Sequence, residues 1–176
     1  MPTILSHPAV PLAIGFGLGS RAISGRLLLA GVAASMAPDL DVYISHYWSA
    51  IAHRGITHTP LAALFGALCA ALIARALRTT HVKAFLFVFV CLLSHPLLDM
   101  CTNGGSGIPL LWPLDDERYF FPWTPIEVSP LGIRRFFSER GLEVLTSEIV
   151  WVWVPALVLY ATLRRSRHSR EGGNPF

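Results

Sequence analysis

Charge is what this sequence has least of. Asp, Glu, Lys and Arg make up 14% of the 176 residues, with a mean hydropathy of +0.52, whereas soluble domains carry roughly 25% charged residues. That scarcity excludes an ordinary soluble domain and predicts an integral membrane protein. Long uninterrupted apolar runs are also missing. Those at Ala9 to Gly19, Leu27 to Pro38, Pro60 to Leu77, Ala84 to Leu98 and Ile149 to Leu163 are mostly shorter than the roughly 20 residues that cross hydrocarbon. The expectation is an all-α polytopic membrane helical bundle of four to five apolar helices. Its third and fourth runs are the strongest spans, and its second is short enough for a half-buried helix or a dipping helix pair. The N-terminus lacks a basic segment and an A-x-A site, which argues against a removable signal peptide. Three cysteines, Cys69, Cys91 and Cys101, lack paired spacing, which argues against a disulfide framework or a Cys-type zinc site. No basic face is interleaved with aromatics, so no nucleic acid is expected as a partner.

The few charges that are present sort along the chain. Arg21 and Arg26 follow the first run, Arg75, Arg78 and Lys83 the third, and Arg164, Arg165, Arg167 and Arg170 the fifth. The positive-inside rule makes these segments cytoplasmic. The start of the chain, the segment from Asp39 to Thr59 and the long one from Asp99 to Glu148 then face outside. The last of these is broken by Asn103-Gly104-Gly105-Ser106-Gly107, Trp112-Pro113, Pro122, Pro125 and Pro130. It reads as an extracytoplasmic loop or cap. Trp112, Tyr119, Phe120, Phe121 and Trp123 suit either a membrane-interface belt or the packing of that cap. Gly132 to Ser147 suits an interfacial helix. Residues 1–166 are expected to form the membrane-embedded domain and 167–176 a disordered tail.

His7, Asp39, Asp41, His53, His58, His95 and Asp99 all fall on the outer side of this topology. His53-Arg54-Gly55-Ile56-Thr57-His58-Thr59 sets two imidazoles five apart before a helix at Pro60. In Ser94-His95-Pro96-Leu97-Leu98-Asp99 the two ligating residues are four apart, on one helical face if Pro96 is accommodated. Pro38-Asp39-Leu40-Asp41 ends the second run with two carboxylates, and His7 opens the first. An ionisable residue inside a membrane costs about 2.5–3.5 kcal/mol on insertion scales, so several at one depth need pairing, water or a cation. All seven are taken as candidate ligands of a divalent metal, one ion or more. Mixed His and Asp donors suit zinc best, with manganese or another transition ion also compatible. Such an ion lowers the pKa of water from about 15.7 towards 7, the basis of hydrolysis. Asp41 and Arg54 are the candidates for catalytic work, Arg54 against a substrate phosphate or a lipid headgroup, and Thr57 and Thr59 are candidate supports for the ligands. Glu148 reads as a cap at the start of the last span or as a late ligand.

These motifs, followed by Cys101-Thr102-Asn103-Gly104-Gly105 and by Leu111-Trp112-Pro113 leading to Arg118-Tyr119-Phe120-Phe121-Pro122, resemble the YdjM-like family of inner-membrane proteins over residues 5 to 165. The resemblance implies a multi-helix protein of the bacterial inner membrane with a His/Asp metal centre and metal-dependent hydrolase chemistry. The tail Arg167-His168-Ser169-Arg170-Glu171-Gly172-Gly173-Asn174-Pro175 resembles a translated bacterial genomic repeat. The leading expectation is a membrane-bound metal-dependent hydrolase acting at the extracytoplasmic face on a lipid-associated ester, most plausibly a phosphoester, with membrane lipid as its partner. The alternatives are a non-catalytic membrane protein with a structural metal and a metal transporter.

Overall fold

A computed structural model describes residues 1–42, 54–130 and 133–172. His53 lies outside the described residues. Within them the chain is helical, with no strand beyond the isolated bridges Thr102–Ile126 and Ile108–Tyr119. Six helices carry the architecture: α1 Ala9–Leu18, α2 Gly25–Met36, α3 Pro60–Leu72, α4 His81–Met100, α5 Glu139–Glu148 and α6 Val154–Gly172. Side-chain caps start three of them where the sequence offers a hydroxyl. Ser24 accepts from Leu27 N, Thr59 from Ala62 N and Thr80 from Lys83 N, each satisfying one of the free donors at a helix start.

Two stretches, His81–Met100 and Glu139–Arg170, are long and apolar enough to cross a membrane, while Ala9–Leu18 and Pro60–Leu72 are shorter. The regular helix of the third apolar run therefore ends at Leu72, short of the expected end at Leu77. Ile73 leaves the helical region at φ −96°, ψ 17°. The chain then curls through hydrogen-bonded turns to Arg78, whose φ is +54°. At the other end of the molecule a helix is longer than expected. α5 runs into α6 through a π-turn, Ile149–Trp153, closed by Val154 N–H donating to the Ile149 carbonyl. Pro155 supplies the reason: it has no N–H, and in a regular helix its ring would meet the Trp151 carbonyl. α6 continues to Gly172, so the chain is helical past the expected boundary at Ser166. The expected interfacial helix of Gly132 to Ser147 is split, because Ser138 is extended (φ −129°, ψ 177°) between the turn Ile133–Phe136 and α5.

α4 packs between α2 and α3, and α1 lies along α6. Leu27, Ala84, Phe87 and Cys91 form one buried cluster; Ala9, Ala13, Ile126, Val152 and Ala156 form another. Gly31 permits the closest approach of α2 to α4, since a Cβ there would stand 2.4 Å from a Phe87 ring carbon and 2.9 Å from Cys91 Sγ. Small residues at helix crossings serve this purpose in membrane bundles. One turn further on, the same two helices bring Ser35 against His95. In the cap, Phe120, Phe121 and Trp123 are exposed, and Trp123 meets Trp151 edge to face at 4.7 Å.

Candidate metal centre

Local structure brings four chain segments to one end of the bundle. Before α1, Glu148 accepts hydrogen bonds from Thr3 N, from Thr3 Oγ1 at 2.7 Å and from Ser6 Oγ at 2.8 Å, which fixes the segment carrying His7. After α2, Pro38 helps tighten the chain into the 3₁₀ turn Ala37–Leu40, which points Asp39 inward. Arg54 turns the chain at φ +57°, and the 3₁₀ turn Ile56–His58 delivers His58 just before α3. α4 passes through Pro96 without ending, so His95 and Asp99 share a face one turn apart.

His58, His95 and Asp99 are fully buried and Asp39 is 3% exposed. One donor atom from each of these four lies within 4.8 Å of all the others. His58 Nε2 is 3.1 Å from His95 Nε2 and 3.5 Å from Asp99 Oδ2; His95 Nε2 is 3.4 Å from Asp39 Oδ1. The longer edges, His58 Nε2 to Asp39 Oδ1 and His95 Nε2 to Asp99 Oδ2, are 3.9 and 4.0 Å. Ligand atoms about 2.0–2.1 Å from a tetrahedral ion stand about 3.3 Å apart. The cluster is thus at the size of a coordination shell.

The hydrogen bonds behind the imidazoles sharpen this. His95 Nδ1 is 2.7 Å from the Ser35 carbonyl, which only accepts, so Nδ1 carries the proton and Nε2 presents a lone pair. His58 Nδ1 lies 3.2 Å from Asp41 Oδ2, and Thr57 Oγ1 donates to that same oxygen at 2.6 Å. In the neutral ring the Nδ1 proton then faces Asp41 and Nε2 carries the lone pair. With the two Nε2 atoms 3.1 Å apart, a proton or a metal ion can be shared between the imidazoles, and outer partners of this kind are what fix the tautomer of metal-binding histidines. Among the described residues both oxygens of Asp39 and of Asp99 and both nitrogens of His7 are buried without a hydrogen bond, Asp99 being met only by an ion pair, an unusual concentration of unsatisfied polar atoms for a folded interior. A divalent cation fits this donor set.

Arg54, 1% exposed, lies beside the cluster with Nε 3.3 Å from Asp99 Oδ2. Its guanidinium also donates to the Gly104 carbonyl and to Thr102 Oγ1 at 3.3 and 3.4 Å. Gly105 is required above it, for its φ is +97° and a Cβ there would stand 2.4 Å from Arg54 Nη1. His7 Nε2 is 3.5 Å from Asp39 Oδ2. Burial, reinforced by neighbouring His95, pushes the His7 imidazole well below its ordinary pKa and keeps it neutral.

Against the sequence expectations, the structure gathers His7, Asp39, His58, His95 and Asp99 and places Arg54 among them. Asp41 is different: it stands behind His58, on the ring nitrogen turned away from the cluster, and also accepts from Arg54 N at 3.2 Å. Glu148 is neither cap nor ligand. The helix runs straight through it, so there is no helix start to cap, and its carboxylate is spent on Thr3 and Ser6. The Ser35 carbonyl was not foreseen, since every residue carries one and only the α2–α4 crossing singles it out.

The fold and this end of it define a helical membrane protein with a buried His/Asp cluster able to hold a metal ion. The chain belongs to the YdjM inner membrane protein family, whose match covers residues 1–170. It is similar to inner membrane protein YbcI of Escherichia coli (strain K12), with 44% identity over 168 residues, 93% of this chain and 97% of the relative. No solved structure matches the chain.

Proposed function

We propose that the protein is a metal-dependent hydrolase of the inner membrane, embedded by several helices, with its site at the extracytoplasmic face and a lipid-associated phosphoester as substrate. The observation that carries this reading is the buried convergence of one donor atom each from Asp39, His58, His95 and Asp99, all within 4.8 Å of one another. These four residues would hold the ion, zinc by preference for mixed N and O donors. When bound, the ion supplies Lewis acidity and makes water a nucleophile near neutral pH. Ser35 and Asp41 hold the two imidazoles in the ligating tautomer. Arg54 is the fixed positive charge beside the centre, with the planar fork that suits a phosphate. The exposed Phe120, Phe121 and Trp123 suit the headgroup depth at which a lipid ester sits. Detergent-purified protein should carry stoichiometric metal and cleave a lipid phosphoester in proportion to it, with both lost in His58→Ala and Asp99→Ala. Metal-free wild type with properties unchanged in those variants would overturn the reading.

Burial favours a second reading, a structural metal in a non-catalytic membrane protein, because closed sites have four protein ligands and no open position. Cobalt-substituted protein separates the two. Added azide or phosphate perturbs the visible spectrum of an open site and leaves a closed one unchanged.

A further inference from the structure

Each central carboxylate faces two ways. Asp39 turns Oδ1 toward His95 Nε2 at 3.4 Å and Oδ2 toward His7 Nε2 at 3.5 Å. Asp99 turns Oδ2 toward His58 Nε2 at 3.5 Å and Oδ1 toward His7 Nε2 at 3.9 Å. We propose that Asp39 and Asp99 bridge two divalent cations, the first held by His58 and His95 and the second by His7. This rests on the metal-centre reading above and adds a separate position to it.

Three observations converge on that second position. Among the described residues neither nitrogen of His7 has a hydrogen-bond partner although the residue is fully buried, its nearest polar neighbours being the Asp39 and Asp99 carboxylates. The His7 and His95 rings stack with centroids 3.8 Å apart and 20° between their planes, so their nitrogens approach the carboxylate pair side by side. The charges agree as well. Among the described residues Asp39, Asp41 and Asp99 outnumber Arg54 at the cluster, and two divalent cations would leave a positive surplus suited to an anionic substrate such as a phosphoester.

The two positions differ in kind. The first is surrounded by four protein donors, as in a closed site; the second is faced by three from the described residues, His7 Nε2, Asp39 Oδ2 and Asp99 Oδ1. Three protein ligands with room for water are what catalytic ions have. The burial that favours a structural ion at the first position and the hydrolytic chemistry proposed for the site are then properties of different ions.

The test is metal stoichiometry and manganese spectroscopy on the full-length, detergent-purified chain. Wild type loaded with manganese should bind two equivalents and give the exchange-coupled paramagnetic signal of a bridged pair. His7→Ala and the more conservative His7→Gln should bind one equivalent and give an isolated-ion signal, while His81→Ala, at the far end of α4, keeps two. A wild type with one equivalent and no coupled signal overturns the second position and leaves the single-ion reading standing. Coupling that persists in both His7 variants also overturns it. Protein that binds no metal overturns both readings together.

Discussion

At one end of the bundle Arg26 lies exposed, donating at 3.0 Å to the Ala76 carbonyl, and Arg164 reaches Tyr160 Oη at 2.7 Å. At the other, Arg54, Asp39 and Asp99 are no more than 3% exposed. The basic end keeps its charges in water, with long side chains lying along apolar helices as such side chains do at membrane interfaces. The acidic end withdraws its charges from water and leaves several polar atoms unsatisfied. The contrast separates two uses of charge in one small protein. Exposed cations stand at low cost, while the buried His and Asp form, at higher cost, a group that could hold a metal ion. It also explains why net charge, +3, says little about the centre, which is negative.

The comparison is broken most severely by removing a central ligand. His58→Ala or Asp99→Ala should weaken metal binding by more than the roughly 10–100-fold loss usual for outer partners, as read by equilibrium dialysis. Asp41→Asn should fall within that 10–100-fold range, since it leaves the ligand in place and loosens its tautomer; a loss as large as that of His58→Ala would make Asp41 a ligand after all. Glu148→Ala leaves Thr3 and Ser6 donors buried without an acceptor and should lower stability by about 3 kcal/mol in a denaturation titration. Gly31→Ala forces Phe87 and Cys91 aside for about 1–3 kcal/mol, with a second effect on metal affinity because the same crossing seats the Ser35 carbonyl on His95. The smallest change belongs to the basic end. Arg26→Gln should stay within about 0.5 kcal/mol and leave metal content untouched, and a loss of metal there would show that the two ends are not independent.

Much of the centre was legible from spacing. His95 and Asp99, four apart, lie on one helical face, and the Thr59-Pro60 pair is a helix start whatever surrounds it, so His58 had to stand at a helix entry. The gathering of His7, Asp39, His58 and Asp99 at one end followed from where basic residues lie along the chain. What could not be read was tertiary. Asp39 and Asp41 are alike in sequence, and only the 3₁₀ turn Ala37–Leu40 and the approach of His58 put one in the cluster and the other behind His58. Residues Cys69 to Ala74 are apolar, with neither Gly nor Pro, so the break after Leu72 has no compositional signature. The resemblance in motifs pointed to the family that the full-length match establishes.

The π-turn at Ile149–Trp153 acts as an angular offset between two docking faces. Each helical residue advances the side-chain direction by about 100°, so a turn holding one residue more than the regular helix rotates everything beyond it relative to what precedes it. Before the offset, Glu148 points at Thr3 and Ser6; after it, Ala156 and Tyr160 point at α1. Deleting Val150 would remove the extra residue and put the two faces out of phase, forcing the chain to release either the latch on the His7 segment or the packing of α1. One surplus residue in a membrane helix thus keeps the start of the chain aligned with a site assembled from three other segments.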